Sequence, residues 1–248
     1  MAAREQPLRI AMWSGPRNIS TAMMRAFENR PDTTVVDEPF YAAFLAATGL
    51  EHPMGEAVMA SQPTDWREVA EAMAGPVPGG RAVYYQKHMT HHMLPDFGLD
   101  WASACTNAFL IRDPARVLAS YVKKRDRPTL ADIGVQRQAE LFDREAERLG
   151  HAPPVIEGVD VLADPRVALT RLCDAVGIPF SAAMLAWPAG PRETDGVWAP
   201  AWYDAVERST GFELARAEED APLLDDGLRR IADAARPFYE RLAAHALR

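Results

Sequence analysis

An apolar run that stops at a Gly-Pro turn and restarts as a helix constrains this chain more than any other feature. Leu8-Arg9-Ile10-Ala11-Met12-Trp13 has the length and composition of a buried strand, and Ala22-Met23-Met24-Arg25-Ala26-Phe27 carries helical spacing. Between them lies Ser14-Gly15-Pro16-Arg17-Asn18-Ile19-Ser20-Thr21. A strand, a tight loop and a helix start rich in hydroxyl residues leave several backbone N–H groups unpaired, and the helix dipole adds positive potential. Arg17 adds a full charge. Such a cradle suits a phosphate or sulfate ester; an ordinary strand-to-helix turn is the competing reading.

The loop is not that of a nucleoside triphosphatase, which places Gly-Lys before its Ser/Thr. Counted from Gly15, those places hold Ser20 and Thr21. No apolar strand ends in a clear magnesium-binding Asp. Phosphoryl transfer from ATP needs magnesium to neutralise its charge, whereas a sulfuryl group carries less charge and moves without metal.

A second strand-to-helix turn follows. Asn107-Ala108-Phe109-Leu110-Ile111-Arg112 is apolar, and Asp113-Pro114 has the chemistry of an N-cap followed by a first helical residue. Ser120 stands eight residues after Arg112, about two helical turns beyond the strand end. Both side chains can then reach one anion. A surface ion pair for Arg112 and simple packing for Ser120 are the bland alternatives.

These two motifs resemble those of sulfotransferases that use 3′-phosphoadenosine 5′-phosphosulfate (PAPS). Ser14–Thr21 is similar to the family's 5′-phosphosulfate loop, commonly Pro-Arg/Lys-Ser-Gly-Thr-Thr. The chain departs from it at Asn18 and Ile19, where the family has Ser-Gly, and Ile19 lacks glycine's freedom, which implies a different loop shape. Arg112 and Ser120 resemble the family's 3′-phosphate motif. The resemblance implies an α/β fold with three layers, α/β/α, around a central parallel sheet: the P-loop-like sulfotransferase fold. It also implies PAPS as co-substrate, no required metal, and a hydroxyl or amine of a small molecule as acceptor. A nucleotide-dependent small-molecule kinase and a non-catalytic nucleotide-binding module are the alternatives.

The pattern along the chain agrees with such a fold. Strands are expected at Leu8–Trp13, Thr33–Asp37, Ala82–Gln86, Thr106–Arg112 and Pro154–Glu157. Helices are expected near Ser20–Asn29, Asp65–Ala74, Pro114–Lys124, Thr129–Leu149, Pro165–Val176 and Asp226–Ala246, a βαβ succession. With 248 residues, one domain over 1–248 is expected. Segments 43–63 and 187–203 fit this alternation poorly and are read as lid or substrate loops. A net charge of −8 argues against nucleic acid or an anionic membrane as partner. The first residues lack a signal-peptide core, and no run approaches the ~18 apolar residues of a membrane span. Cys105 and Cys173, the two cysteines, read as reduced thiols. A cytoplasmic location is expected, and a homodimer is left open.

Two residues compete as the base that takes the acceptor proton. Glu38 ends the second strand, expected beside the first, and Glu-Pro there resembles carbohydrate sulfotransferases. His88 ends the third strand, where cytosolic sulfotransferases carry Lys-x-His; here Lys87 and His88 are adjacent. Glu38 is preferred, with Arg17 placed beside the transferred group and Lys87 either contacting the leaving phosphate or solvated. His88, His91 and His92 also suggest a metal set, but no nearby Cys completes one, and no metal site is assigned. The late stretch matches the family's nucleotide-covering loop by position only and offers Arg192 as its basic residue. Trp13 and Phe40 are candidate pocket walls, with the core as the alternative.

Overall fold

The computed structural model describes residues 6–124, 127–212 and 222–248; the N-terminal residues read for a leader lie largely outside them. In chain order the elements are β1 (Leu8–Ser14), α1 (Ser20–Glu28), β2 (Thr33–Asp37), α2 (Tyr41–Thr48), α3 (Gly55–Ser61), α4 (Trp66–Ala74), β3 (Val83–Met89), β4 (Thr106–Ile111), α5 (Pro114–Tyr121), α6 (Leu130–Ile133), α7 (Val135–Leu149), β5 (Val155–Glu157), α8 (Gly158–Ala163), α9 (Pro165–Val176), α10 (Ala199–Trp202), α11 (Asp204–Arg208) and α12 (Asp226–Ala243).

All five strands pair in parallel, in the order β2-β3-β1-β4-β5. Alternation along each strand sends side chains to opposite faces. Ile10, Met12, Val35, Tyr85 and Leu110 meet Met23, Met24 and Phe27 of α1 and Leu169 and Leu172 of α9 on one face. Ala11, Trp13, Tyr84 and Phe109 meet Val69 and Met73 of α4, Phe142 of α7 and Leu242 of α12 on the other. Full burial of such side chains contributes about 1.5–3 kcal/mol each, which is why the apolar runs settle in the middle layer. Cys105 and Cys173 are buried and free.

Three expectations are corrected. β2 does not lie beside β1, because β3 pairs with both and separates them. The third strand runs on to Met89, so Lys87 and His88 belong to it and face opposite ways. The long helix expected over Thr129–Leu149 breaks at Gly134, whose φ of 66° ends α6. A Cβ at that position would come 2.6 Å from Thr90 Oγ1. β1 is flanked by β3 and β4, where the connections turn from one side of the sheet to the other. Ligands gather at the carboxyl ends of strands at such a switch point.

Candidate functional site

The first turn of α1 begins at the carboxyl end of β1 with no side-chain cap. Its leading N–H groups are therefore left for a ligand. α5 differs, since Asp113 accepts from the N–H groups of Ala115 and Arg116 at 2.8 and 3.2 Å and so caps its own helix. The loop before α1 takes its left-handed residue at Arg17, φ 54°, while Ile19 stays at φ −74°. That is how the chain manages without a glycine at Ile19. Asn18 locks the shape: its Nδ2 donates to the Leu110 carbonyl at 3.1 Å and its Oδ1 accepts from the Ile19 N–H at 2.9 Å. Gly158 makes room for this, because a Cβ there would stand 2.7 Å from Asn18 Oδ1.

The two sequence motifs meet around Arg17. Its Nε donates to Ser120 Oγ at 3.1 Å, and Arg112 Nη1 donates to the Arg17 carbonyl at 2.6 Å. Burial lowers the Arg17 pKa, opposed by the charges of Asp204 and Tyr121. A half-buried guanidinium bonded to a hydroxyl rather than to a carboxylate is suited to an anion.

A cavity of about 1280 Å³ opens over these groups, large enough for a nucleotide and a second small molecule. Pro16 to Thr21, Glu38, Arg112 and Ser120 line it together. Arg116, Glu157 and Tyr239 line it too, and Tyr239 Oη donates to Glu157 Oε1. Ser14 is buried behind the loop with its hydroxyl on the Gly15 carbonyl, 2.8 Å away. Gly15 backs against α6, where a Cβ would come 2.7 Å from the Ile133 carbonyl oxygen.

Glu38 also takes a left-handed backbone, φ 40°. Strain of this kind persists where surroundings over-determine it. Here the Glu38 N–H donates to the Lys87 carbonyl at 3.0 Å, and the Glu38 carbonyl accepts from Tyr41 N at 3.1 Å and Gln62 Nε2 at 3.2 Å. Burial raises the Glu38 pKa, the Lys87 ammonium pulls it down, and Asp37 raises it again; the net direction is upward. Lys87 is not solvated, although it lines the same cavity as the cradle. It is buried, with Nζ 2.8 Å from Asp37 Oδ1, 2.8 Å from Glu38 Oε1 and 2.6 Å from Tyr203 Oη. Burial alone would lower its pKa, but Asp37 and Glu38 hold it well above the usual value.

His88 sits elsewhere. It stacks on Trp13 with centroids 4.6 Å apart, touches Phe40 and Trp101, and shares a 3.1 Å hydrogen bond with Gln86 Oε1. It faces the opposite side of the sheet from Lys87, does not line the cavity, and burial takes its pKa down to about 3. Trp13 and Phe40, offered as pocket walls, are core residues beside it. Arg192 also lies off the cavity lining; its Nη2 donates to the Pro188 carbonyl at 3.1 Å. The late segment reaches the cavity through Trp202 and Tyr203 instead, and segment 43–63 reaches it through His52. Among the described residues no group of three or more His, Cys, Asp or Glu side chains is arranged to hold a metal ion. None of the described helices is long and apolar enough to cross a membrane.

Sequence reasoning missed Asp37 and Tyr203. Asp37 carried a signal, a second carboxylate at the same strand end. Tyr203 falls in the 187–203 stretch read as a lid or substrate loop, but its bonds to Lys87 and Asp37 carried no signal, since those residues lie 116 and 166 positions away.

A family model for the sulfotransferase domain matches residues 8–246. The branched-chain-amino-acid aminotransferase-like protein 1 of Arabidopsis thaliana is 37% identical over 208 residues, 84% of this chain and 37% of that protein. The related protein 2 is 32% identical over 237 residues, 95% of this chain and 41% of that protein. The chain thus spans about two fifths of the length of these relatives. Among solved structures, the sulfotransferase domain from the curacin biosynthetic pathway superposes with a TM-score of 0.55 at 18% identity, covering 93% of this chain and 98% of that one. The sulfotransferase domain from the Synechococcus PCC 7002 olefin synthase gives 0.54 at 18% identity, over 94% and 96%. These two likenesses concern the fold.

Proposed function

This chain belongs to the sulfotransferase-domain family, and on that premise we propose that it transfers a sulfuryl group from PAPS to a hydroxyl or amine of a small acceptor, without a metal. The observation that carries the reading is the meeting of Arg17, Arg112 and Ser120 at the uncapped start of α1. Two anionic ends of one nucleotide suit that arrangement: the first-turn N–H groups and Arg17 at the 5′ end, Arg112 and Ser120 at the 3′-phosphate. PAPS supplies an activated sulfuryl group on a phosphate leaving group.

The chain's own residues supply the rest. Arg17 offers fixed positive charge where the leaving phosphate develops its own. Glu38 accepts the acceptor's proton at Oε2, since Oε1 is held by Lys87. The ammonium keeps that carboxylate available for base work despite its burial. His88, neutral and off the cavity, packs the sheet rather than acting as base.

A thermal-shift comparison tests the reading, because a ligand of the native state raises the midpoint with the logarithm of its occupancy. Adenosine 3′,5′-bisphosphate without metal should raise it well beyond 5′-AMP, ADP or ATP. A larger shift from ATP with Mg²⁺ would favour a kinase, and bisphosphate binding without turnover on any acceptor would favour a binding module.

A further inference from the structure

The ammonium of Lys87 has three N–H donors and uses all of them, on Asp37, Glu38 and Tyr203. Tyr203 Oη accepts from Lys87 at 2.6 Å and from Trp198 Nε1 at 3.0 Å, and donates to Asp37 Oδ2 at 2.6 Å. The Gly196 N–H reaches the same Oδ2 at 3.1 Å. One buried cation is thus shared by two adjacent carboxylates, and a phenol from the other end of the chain arbitrates between them.

We propose that Tyr203 is a positioning residue for the transfer: bonded to both Lys87 and Asp37, it confines the ammonium so that one N–H remains on Glu38 Oε1 and Oε2 is left to take the proton. The inference rests on the reading of Glu38 as the base. Without the phenolic O–H, Asp37 Oδ2 keeps only the Gly196 N–H and draws harder on Lys87, and Glu38 loses part of its counter-charge. Among the described residues, the nearest imidazole does not replace it. His92 Nδ1 stands 3.9 Å from Glu38 Oε2, and burial keeps that imidazole neutral. Tyr41 stacks on His92 at 4.4 Å and shares a 2.9 Å hydrogen bond with His52.

Tyr203→Phe keeps the ring and removes only the hydroxyl; Lys87→Met is the stronger companion. The titration of the Glu38 carboxyl, followed by ¹³C NMR on the protein alone, should move to higher pH in Tyr203→Phe and further in Lys87→Met. The turnover number of Tyr203→Phe with PAPS should fall about tenfold while affinity for adenosine 3′,5′-bisphosphate changes less than about twofold. A Glu38 titration unmoved in Tyr203→Phe overturns the inference, as does a moved titration with unchanged turnover. The NMR readout needs no substrate. A wild-type protein that sulfates nothing from PAPS therefore defeats the functional reading separately, and the titration alone still decides whether Tyr203 controls Glu38.

Discussion

Arg17 and Ser120 stand 103 residues apart in the chain, and Arg17 Nε donates to Ser120 Oγ across 3.1 Å. The bond joins the loop after β1 to the second turn of α5, so the two halves of the candidate anion site are built as one object. Arg112 completes it by holding the Arg17 carbonyl, which stabilises the left-handed backbone at that residue.

Removal of Arg112 should strip nucleotide discrimination. Arg112→Ala is expected to bring the affinity for adenosine 3′,5′-bisphosphate close to that for 5′-AMP, since a charge-assisted contact is worth about 1.5–3 kcal/mol. Calorimetric titration of both nucleotides measures it. Equal affinities in the wild type would sink the 3′-phosphate assignment.

Arg17→Ala should act on turnover more than on binding of the spent nucleotide. Fixed charge stabilises the developing phosphate most in the transition state. The check is turnover at saturating donor beside nucleotide affinity in the same variant. Lost affinity with unchanged turnover would make Arg17 a ground-state binder only.

Glu38→Gln should cut turnover by about 10²–10⁴-fold with nucleotide binding intact, and His88→Ala should be milder. Burial holds the Glu38 carboxyl above its usual range. A base works deprotonated, so kcat/KM should fall as pH drops through a limb lying above the ordinary Glu value of ~4.3. Glu38→Gln should abolish that limb rather than displace it. A dead His88→Ala beside an active Glu38→Gln would reverse the roles.

His88 should appear in stability rather than in rate. Burial takes its pKa to about 3 in the native protein, against ~6.5 in the unfolded chain. The unfolded state therefore binds the extra proton first as pH falls. Stability is lost from about pH 6.5 downward, roughly 2 kcal/mol by pH 5 from this group. Urea midpoints for wild type and His88→Gln across that range measure it, with a slope shallower by about one proton in the variant. Parallel slopes would mean that His88 gains its proton inside the folded protein.

Much of the architecture was legible in local pattern. The apolar runs of β1, β2 and β4 and the Asp113-Pro114 start of α5 are encoded by neighbours in sequence, and strand and helix formation answer to neighbours. The third strand was read too short because Lys87 and His88 look like a polar strand end. Both are buried instead, Lys87 by its counter-charges and His88 by aromatic rings.

The sequence by itself determined the strand–loop–helix proposed as an anion cradle, the Arg112–Ser120 spacing, the choice of Glu38 and His88 as rivals and the parallel α/β class, because each rests on a short segment with its own periodicity or turn chemistry. Tertiary structure alone decided the rest. Insertion of β3 between β1 and β2 turned Lys87 toward Glu38 and His88 away from it. Tyr203 entered the site from 166 residues beyond Asp37, and Arg192 stayed outside it. Which side chains share one buried charge depends on strand order and on the path of a distant loop. Both follow from packing the whole chain around one sheet, and no local pattern carries them.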